Sequence, residues 1–187
     1  MKLKSLLLLT GACALLGTSC KKDDNKNSTS NNAAPSASTL AAGTGYIAFN
    51  TSKAFNGSTS HKYQKTGLYD QAPAYLSSGT ASIQGAHTEV SGTTVGKIST
   101  AVLMVYAAKT GTISFGSSSS GVAATFAIAV TNGTSGTATE AYAMESGSLE
   151  VTKFSNTEME GKFSGKAVND DANAEIDITN GSFAAKF

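Results

Sequence analysis

Two histidines, His61 and His87, are the side chains with the unperturbed pKa nearest neutral pH, and imidazole is a common general base and metal ligand. Both lie among glycine, serine and threonine residues, so we predict that both are exposed in loops. A zinc site would need both imidazoles and an acid such as Glu89, and the sequence has no pair of histidines at helical spacing. We therefore assign no catalytic or metal-binding residue and expect no cofactor.

Serine is abundant, but the sequence has no Gly-x-Ser-x-Gly motif of the kind that exposes the nucleophile of many hydrolases. The densest serine cluster lies in residues 116–121, between two glycines. This composition favours a flexible loop. Hydrolase chemistry is therefore not indicated.

Paired carboxylates of the glycosidase type could be drawn from five glutamates in the C-terminal half of the chain: Glu140, Glu145, Glu150, Glu158 and Glu160. Such a pair must converge in a cleft at about 5 to 9.5 Å. The alternation of strand residues places most of these acids on solvated faces. We predict that the protein is not an enzyme.

Oxygen-bearing side chains are also concentrated in residues 169–177, a pattern that suits calcium. The segment lacks the central glycine and the final glutamate of an EF-hand loop. A polar hairpin loop explains the same residues, and we prefer that interpretation.

Nucleic acid is not an expected partner. The sequence contains 14 basic residues, all of them lysine, and 13 acids, whereas nucleic-acid recognition favours a clustered basic face with arginine. The sequence has six tyrosines but no tryptophan, which leaves a glycan partner as an open alternative beside a protein or an apolar ligand.

The N-terminus has the order of an export signal. Lys2 and Lys4 precede an apolar run at residues 6–16, which is followed by small residues at 17–19 and then by Cys20. The run is shorter than the roughly 20 residues that a membrane-spanning helix needs. We predict that residues 1–19 are a lipoprotein signal peptide and that Cys20 carries the lipid. A lipid on Cys20 would attach the protein to a membrane, so a membrane is its predicted partner.

Two alternatives to Cys20 remain. Cys13 also follows small residues, but its apolar run would be very short. Residues 17–19 would also serve as an ordinary small-x-small cleavage site, with Cys20 following by coincidence. In the predicted mature chain Cys20 is the only cysteine, so we expect neither a disulfide nor a thiolate metal site.

The next segment, residues 20–43, is polar or small, which is typical of a disordered tether. Residues 44–187 contain short apolar runs with period two, separated by glycine, serine, threonine and asparagine. This pattern predicts one all-β domain, an antiparallel sandwich or a closed barrel of about eight to ten strands. The continuously apolar residues 101–108 predict a central strand that is covered on both faces.

Register is clearest at the C-terminus. Met159, Phe163 and Ala167 alternate with charged residues, so we place them on the buried face of a strand. Ile176 and Ile178 repeat the pattern. The following residues 180–181, Asn-Gly, predict a tight hairpin turn.

Two stretches of sequence resemble known proteins. Residues 147–187, with the phrases Gly-Lys-Phe-Ser-Gly and Ile-Asp-Ile-Thr-Asn-Gly-Ser-Phe, resemble the ending of uncharacterised β-rich lipoproteins of Bacteroidota. The start at Cys20, Cys-Lys-Lys-Asp-Asp, is similar to lipoproteins of that group that are displayed on the cell surface. The resemblance implies an outer-membrane lipoprotein and implies no activity.

The sequence as a whole favours a non-catalytic binding or structural module at the outer membrane. The alternatives are a carrier that holds an apolar ligand inside a barrel and, after it, a hydrolytic enzyme. Small residues that could leave room inside the barrel support the carrier: Ala124, Ala127, Ala129, Ala141 and Ala143.

Overall fold

The computed structural model describes residues 33–116 and 123–187. Within them the chain forms one 3-10 helix, Ala37–Thr39, and eleven β-strands. The strands are β1 (Thr44–Phe55), β2 (Ser58–Gln64), β3 (Asp70–Gln71), β4 (Ala74–Ser77), β5 (Thr80–Ser91), β6 (Thr94–Tyr106), β7 (Gly111–Ser114), β8 (Ala123–Asn132), β9 (Ala138–Phe154), β10 (Glu158–Asn169) and β11 (Ala174–Lys186).

These strands build one antiparallel sheet in the order β2-β1-β11-β10-β9-β8-β6-β5-β3, with β4 on β5 and β7 on β9. The sheet curls until its two ends meet. Gly45 N–H donates to Ala72 O at 2.6 Å and Gln84 N–H donates to Pro73 O at 3.0 Å, so the segment before β4 joins β1 to β5. The predicted all-β antiparallel fold is confirmed, and of the two architectures it is the nearly closed barrel.

The core lies inside the barrel, and its register follows the predicted alternation. Met159, Phe163 and Ala167 of β10 are buried, as are Ile176 and Ile178 of β11. Bulky inward side chains on neighbouring strands therefore meet at the centre, where their burial supplies most of the stabilising free energy. The C-terminal register is confirmed.

The predicted turn at Asn180 and Gly181 is wrong. Both residues lie inside β11, where the register shifts against β1 and against β10. Asn180 has a φ of 51°, and a Cβ on Gly181 would lie 2.4 Å from Phe163 O. A β-bulge uses the same residue types as a tight turn because both need positive φ or close backbone approach.

The predicted disorder of residues 20–43 is wrong for residues 33–40, which we call the strap. Ala37 is fully buried, and it packs with Tyr46, Ala48 and Ala184 on the outside of the barrel. The strap therefore covers part of the sheet formed by β1, β11 and β10. Residues 1–32, with the predicted signal peptide and Cys20, lie outside the described residues, and so do residues 117–122 of the serine-rich segment.

Polar contacts also hold the strap. The Glu160 carboxylate accepts the Ala37 N–H at 2.6 Å and the Ser36 hydroxyl at 3.1 Å. The Lys186 ammonium donates to Ser38 O at 3.2 Å. Buried alanine and charge-assisted hydrogen bonds together explain why a polar segment is ordered here.

The interpretation of residues 101–108 needs a correction. In β6, Ala101, Leu103 and Val105 point inward and are fully buried, but the outward Val102 and Met104 are only half-buried. The strand is central in the sheet, yet nothing in the described residues covers its outer face. A continuously apolar run was expected to be buried on both sides, and here one side faces out.

Candidate functional site

Aromatic rings fill the barrel interior. The Phe126 centroid lies 4.7 Å from Phe163 and 5.3 Å from Phe49, which is contact distance for aromatic pairs. Of the five alanines that were expected to leave room inside, only Ala124 points inward and is buried. The other four, on β8 and β9, lie on the outer face and are exposed or half-buried: Ala127, Ala129, Ala141 and Ala143.

His61 is not an exposed loop residue, so that prediction is wrong. It lies on β2, points into the barrel and is 8% exposed. Its ring stacks on Phe49 at 5.0 Å and meets the edge of Phe55 at 5.3 Å, and its Nε2 lies 3.3 Å from Thr51 Oγ1. Burial lowers the pKa of His61 to about 4, against which a backbone contact at Ser58 acts weakly. The neutral imidazole is a core residue.

His87 is exposed as predicted, but it lies on β5 and is paired. Its Nδ1 lies 2.5 Å from Asp70 Oδ1 across the β3–β5 ladder, and Asp70 also accepts the Thr66 hydroxyl. Partial burial alone would raise the pKa of Asp70, but the bonds from His87 and Thr66 outweigh it and hold the pKa below its usual value. The pair ties the short strand β3 to the barrel.

Ser99 stands opposite His87 on β6, so Asp70, His87 and Ser99 form a row across three strands. The row has the residue types of a hydrolase triad. Ser99, however, is only 5% exposed and hydrogen-bonds the Tyr63 hydroxyl, whose pKa is raised by burial, the larger effect. A nucleophile at this position is closed to substrate.

The glutamates considered as a catalytic pair have other partners or face solvent. Glu158 and Glu160 lie 2.5 and 3.8 Å from Lys153, and Glu140 accepts the Asn56 N–H at 3.3 Å. Glu145 and Glu150 are exposed. The arrangement matches a solvated, ion-paired strand surface.

The oxygen-rich segment is the hairpin between β10 and β11. Asn169 Oδ1 accepts the Ala172 N–H at 3.0 Å, and Glu175 pairs with Lys166 at 2.8 Å. Within the described ranges, no group of three or more His, Cys, Asp or Glu side chains could hold a metal ion. The hairpin interpretation explains these residues.

The outside of the barrel has two contrasting faces. The first, which we call the charged face, carries the outward side chains of β10, β11 and the second half of β9, including Lys153, Glu160 and Lys162. The strap crosses it, and a groove of about 820 Å³ lies between the strap and the sheet, lined among others by Asn50, Thr152 and Lys162.

The second face, which we call the uncharged face, spans β5, β6, β8 and the start of β9. In the described residues the outward side chains of this face include no carboxylate, amine or imidazole: Gln84, Ala86, Thr88, Ile98, Thr100, Val102, Met104, Tyr106, Thr125, Ala127, Ala129, Thr131, Ala141 and Ala143. All are exposed or half-buried. Glu89 lies at the edge of the face, beside Gly96. Sequence reasoning missed this face, although Lys109 is the only charged residue between Lys97 and Glu140.

No protein-family model, curated protein or solved structure matches the chain. In residues 33–116 and 123–187 no helix is long and apolar enough to cross a membrane.

Proposed function

We propose that this chain is a lipid-anchored, non-catalytic binding or structural module of the outer membrane, and that it binds through the outside of its barrel. The observation that carries the binding role is the uncharged face. Depletion of charged side chains distinguishes the centre of a protein interface from the rest of a protein surface.

The anchor is proposed from the order of residues 1–20, with Cys20 as the lipidated position. Bacterial lipoproteins carry several acyl chains on one cysteine, and two or more chains give stable attachment. The similarity of the start at Cys20 to surface-displayed lipoproteins of Bacteroidota supports display on the outer face of the membrane in this proposal.

Lipid labelling of the full chain in its host tests the anchor. Cys20→Ala should abolish labelling and release the protein from the membrane fraction, whereas Cys13→Ala should leave both unchanged. A Cys20→Ala protein that stays in the membrane would contradict the proposal. Labelling lost in the Cys13→Ala protein instead would move the anchor to the earlier cysteine.

The carrier alternative loses its support in this fold. It depended on small residues inside the barrel, and four of the five alanines face outward, while phenylalanine rings pack at the centre. A hydrolytic role is not favoured either, because Ser99 in the Asp70–His87 row is buried.

A further inference from the structure

Two adjacent strands of the uncharged face differ in the size of their outward side chains. On β6 the row Ile98, Val102 and Met104 forms a ridge. The β8 residues paired with Ile98, Val102 and Met104 are smaller, namely Thr131, Ala127 and Thr125, and Ala129 is paired with Thr100. The row of smaller residues forms a trough that continues on β9. Large and small rows side by side are the surface relief that lets one sheet interdigitate with another.

Threonines add to the apolar character of this surface. Thr100 Oγ1 donates to Ala129 O at 3.4 Å, and Thr131 Oγ1 donates to Ile98 O at 3.5 Å. Because these hydroxyls have backbone acceptors, burial of the face would not leave them unsatisfied. The strip formed by residues 98–102 of β6 and residues 127–131 of β8 therefore suits a dry contact better than a solvated one.

We propose that the uncharged face binds a second copy of this chain, face to face, about a two-fold axis that runs between β6 and β8 and parallel to them. This partner assignment rests on the proposed function, in which the outer surface is the binding surface. A two-fold contact must be complementary to itself. The stated axis places the β6 ridge of each copy over the β8 trough of the other.

The register of β6 and β8 fixes which residues meet. Val102 and Ala127 are direct cross-strand partners, so they have the same height along the axis. Rotation about an axis between the strands exchanges their positions. Val102 of one copy therefore packs on Ala127 of the other.

Charge favours an uncharged partner. A strongly charged protein surface or a headgroup layer would lose hydration on this face without gaining an ion pair. A second copy brings no charge, because its face is the same. The two faces also match in shape, which an arbitrary apolar surface would not.

The size of the face predicts a weak dimer. At about 4.8 Å per strand and about 3.3 Å per residue, four strands over the length from Ile98 to Tyr106 cover about 500 Å² per copy. About 1,000 Å² in total is near the lower limit for a specific interface. Confinement of anchored copies to one membrane plane would raise their effective concentration and favour the contact.

A charge swap between two differently tagged full-length chains, co-expressed in the host, tests the contact. Ala127→Lys alone and Val102→Glu alone each place an unpaired charge in the contact, so crosslinking of like copies should fall at least about tenfold. An Ala127→Lys chain beside a Val102→Glu chain should recover crosslinking, because the new charges face each other. Ser164→Lys, at an exposed outward position of β10, is the control and should crosslink as the parent does.

The same samples give the outcomes that overturn the proposal. Each variant is first checked for a parental thermal transition, and Val102→Thr, a smaller uncharged change, replaces Val102→Glu as the disrupting variant if the glutamate does not fold. Undiminished crosslinking of Ala127→Lys would show that a second copy does not bind this face. Failure of the folded Ala127→Lys and Val102→Glu pair to recover crosslinking would show the same. Crosslinking to a different protein that Ala127→Lys abolishes would also overturn it. Cys20 labelling is read separately, so a failed anchor and a failed dimer are distinguishable.

Discussion

On the charged face, β10 places Glu160 and Lys162 on alternate outward positions, whereas on the uncharged face β8 places Ala127 and Ala129 at the equivalent positions. The inward positions of the same strands do not differ in kind: Phe163 of β10 and Phe126 of β8 are both buried and in contact. The two faces thus share one core and one alternation rule. They differ only in what the barrel presents outward.

The difference separates what specifies the fold from what specifies contact. The charged face holds its own strap through Glu160 and Lys186. Its ion pairs include Lys153 with Glu158, and partly exposed pairs of this kind contribute little to stability. The uncharged face has no such segment on it in the described residues, and its relief fits another sheet. The outward residues therefore determine what contacts the barrel, and the inward residues determine the fold.

The largest effect should come from the core that both faces share. Phe163→Ala and Phe126→Ala should each cost about 3 to 5 kcal/mol, because each empties a large buried volume. Lys162→Ala, next to Phe163 on the outward side, should change the free energy of unfolding by less than about 0.5 kcal/mol. Chemical denaturation of the three variants measures this. A cost confined to Phe163 would show that the two faces have separate cores.

Acid should next reveal a buried group that neither face exposes. The folded pKa of His61, about 4, lies below the ordinary histidine value of 6.5, so the unfolded chain binds more protons between these two pH values. The contribution of the neutral His61 to the free energy of unfolding is complete above pH 6.5. It decreases as the pH falls and is lost by pH 4, a total of about 3 kcal/mol.

Denaturation curves between pH 7 and pH 4 check this slope. His61→Gln should flatten it, because glutamine does not titrate. Phe49→Leu removes part of the same ring stack and should lower stability at every pH while keeping the slope. An unchanged slope in His61→Gln would place the acid sensitivity in the carboxylates of the charged face.

These two predictions also show where sequence reasoning succeeds. Phe163 was placed correctly because charged neighbours at Lys162 and Glu160 leave one face for the core. The prediction for His61 is wrong because the serine, threonine and glycine residues around it are typical of loops. Its burial depends on Phe49 and Phe55, which contact the His61 ring only once β1 and β2 pair as a hairpin.

The uncharged face could not be recognised from alternation alone. Alanine at positions 127 and 129 alternates with Phe126 and Ile128, and both sets are apolar, so the pattern does not say which set is inside. Size decides, since the larger rings fill the barrel. Likewise, the residue types of Asn180 and Gly181 indicate a backbone that needs positive φ or close approach. Whether they form a turn or a bulge depends on the pairing of β11 with β1 and β10, which the sequence does not show.

The strap supplies a smaller test of the charged face. Glu160→Ala removes the acceptor for Ala37 N–H and the Ser36 hydroxyl, and should cost about 1 to 2 kcal/mol, because a partly buried donor loses its partner. Proteolysis within residues 33–40 should become faster. Glu150→Ala, an exposed acid on β9, is the matched control and should leave both stability and cleavage unchanged. Equal cleavage in both variants would show that apolar packing of Ala37 alone holds the strap.

The smallest effect uses a pair of threonines that are matched across the two faces. Thr100 on β6 donates its hydroxyl to Ala129 O at 3.4 Å, and Thr152 on β9 donates to Glu160 O at 3.2 Å. Valine keeps the shape and the β-branch of threonine, so each Thr→Val change should alter the free energy of unfolding by less than about 0.5 kcal/mol. Self-association should separate them: Thr100→Val adds apolar surface to the proposed contact and should crosslink at least as well as the parent, while Thr152→Val should have no effect. Weaker crosslinking of Thr100→Val would mean that the uncharged face acts through its hydroxyls, as a hydrated surface, and that the dry sheet-to-sheet contact is wrong.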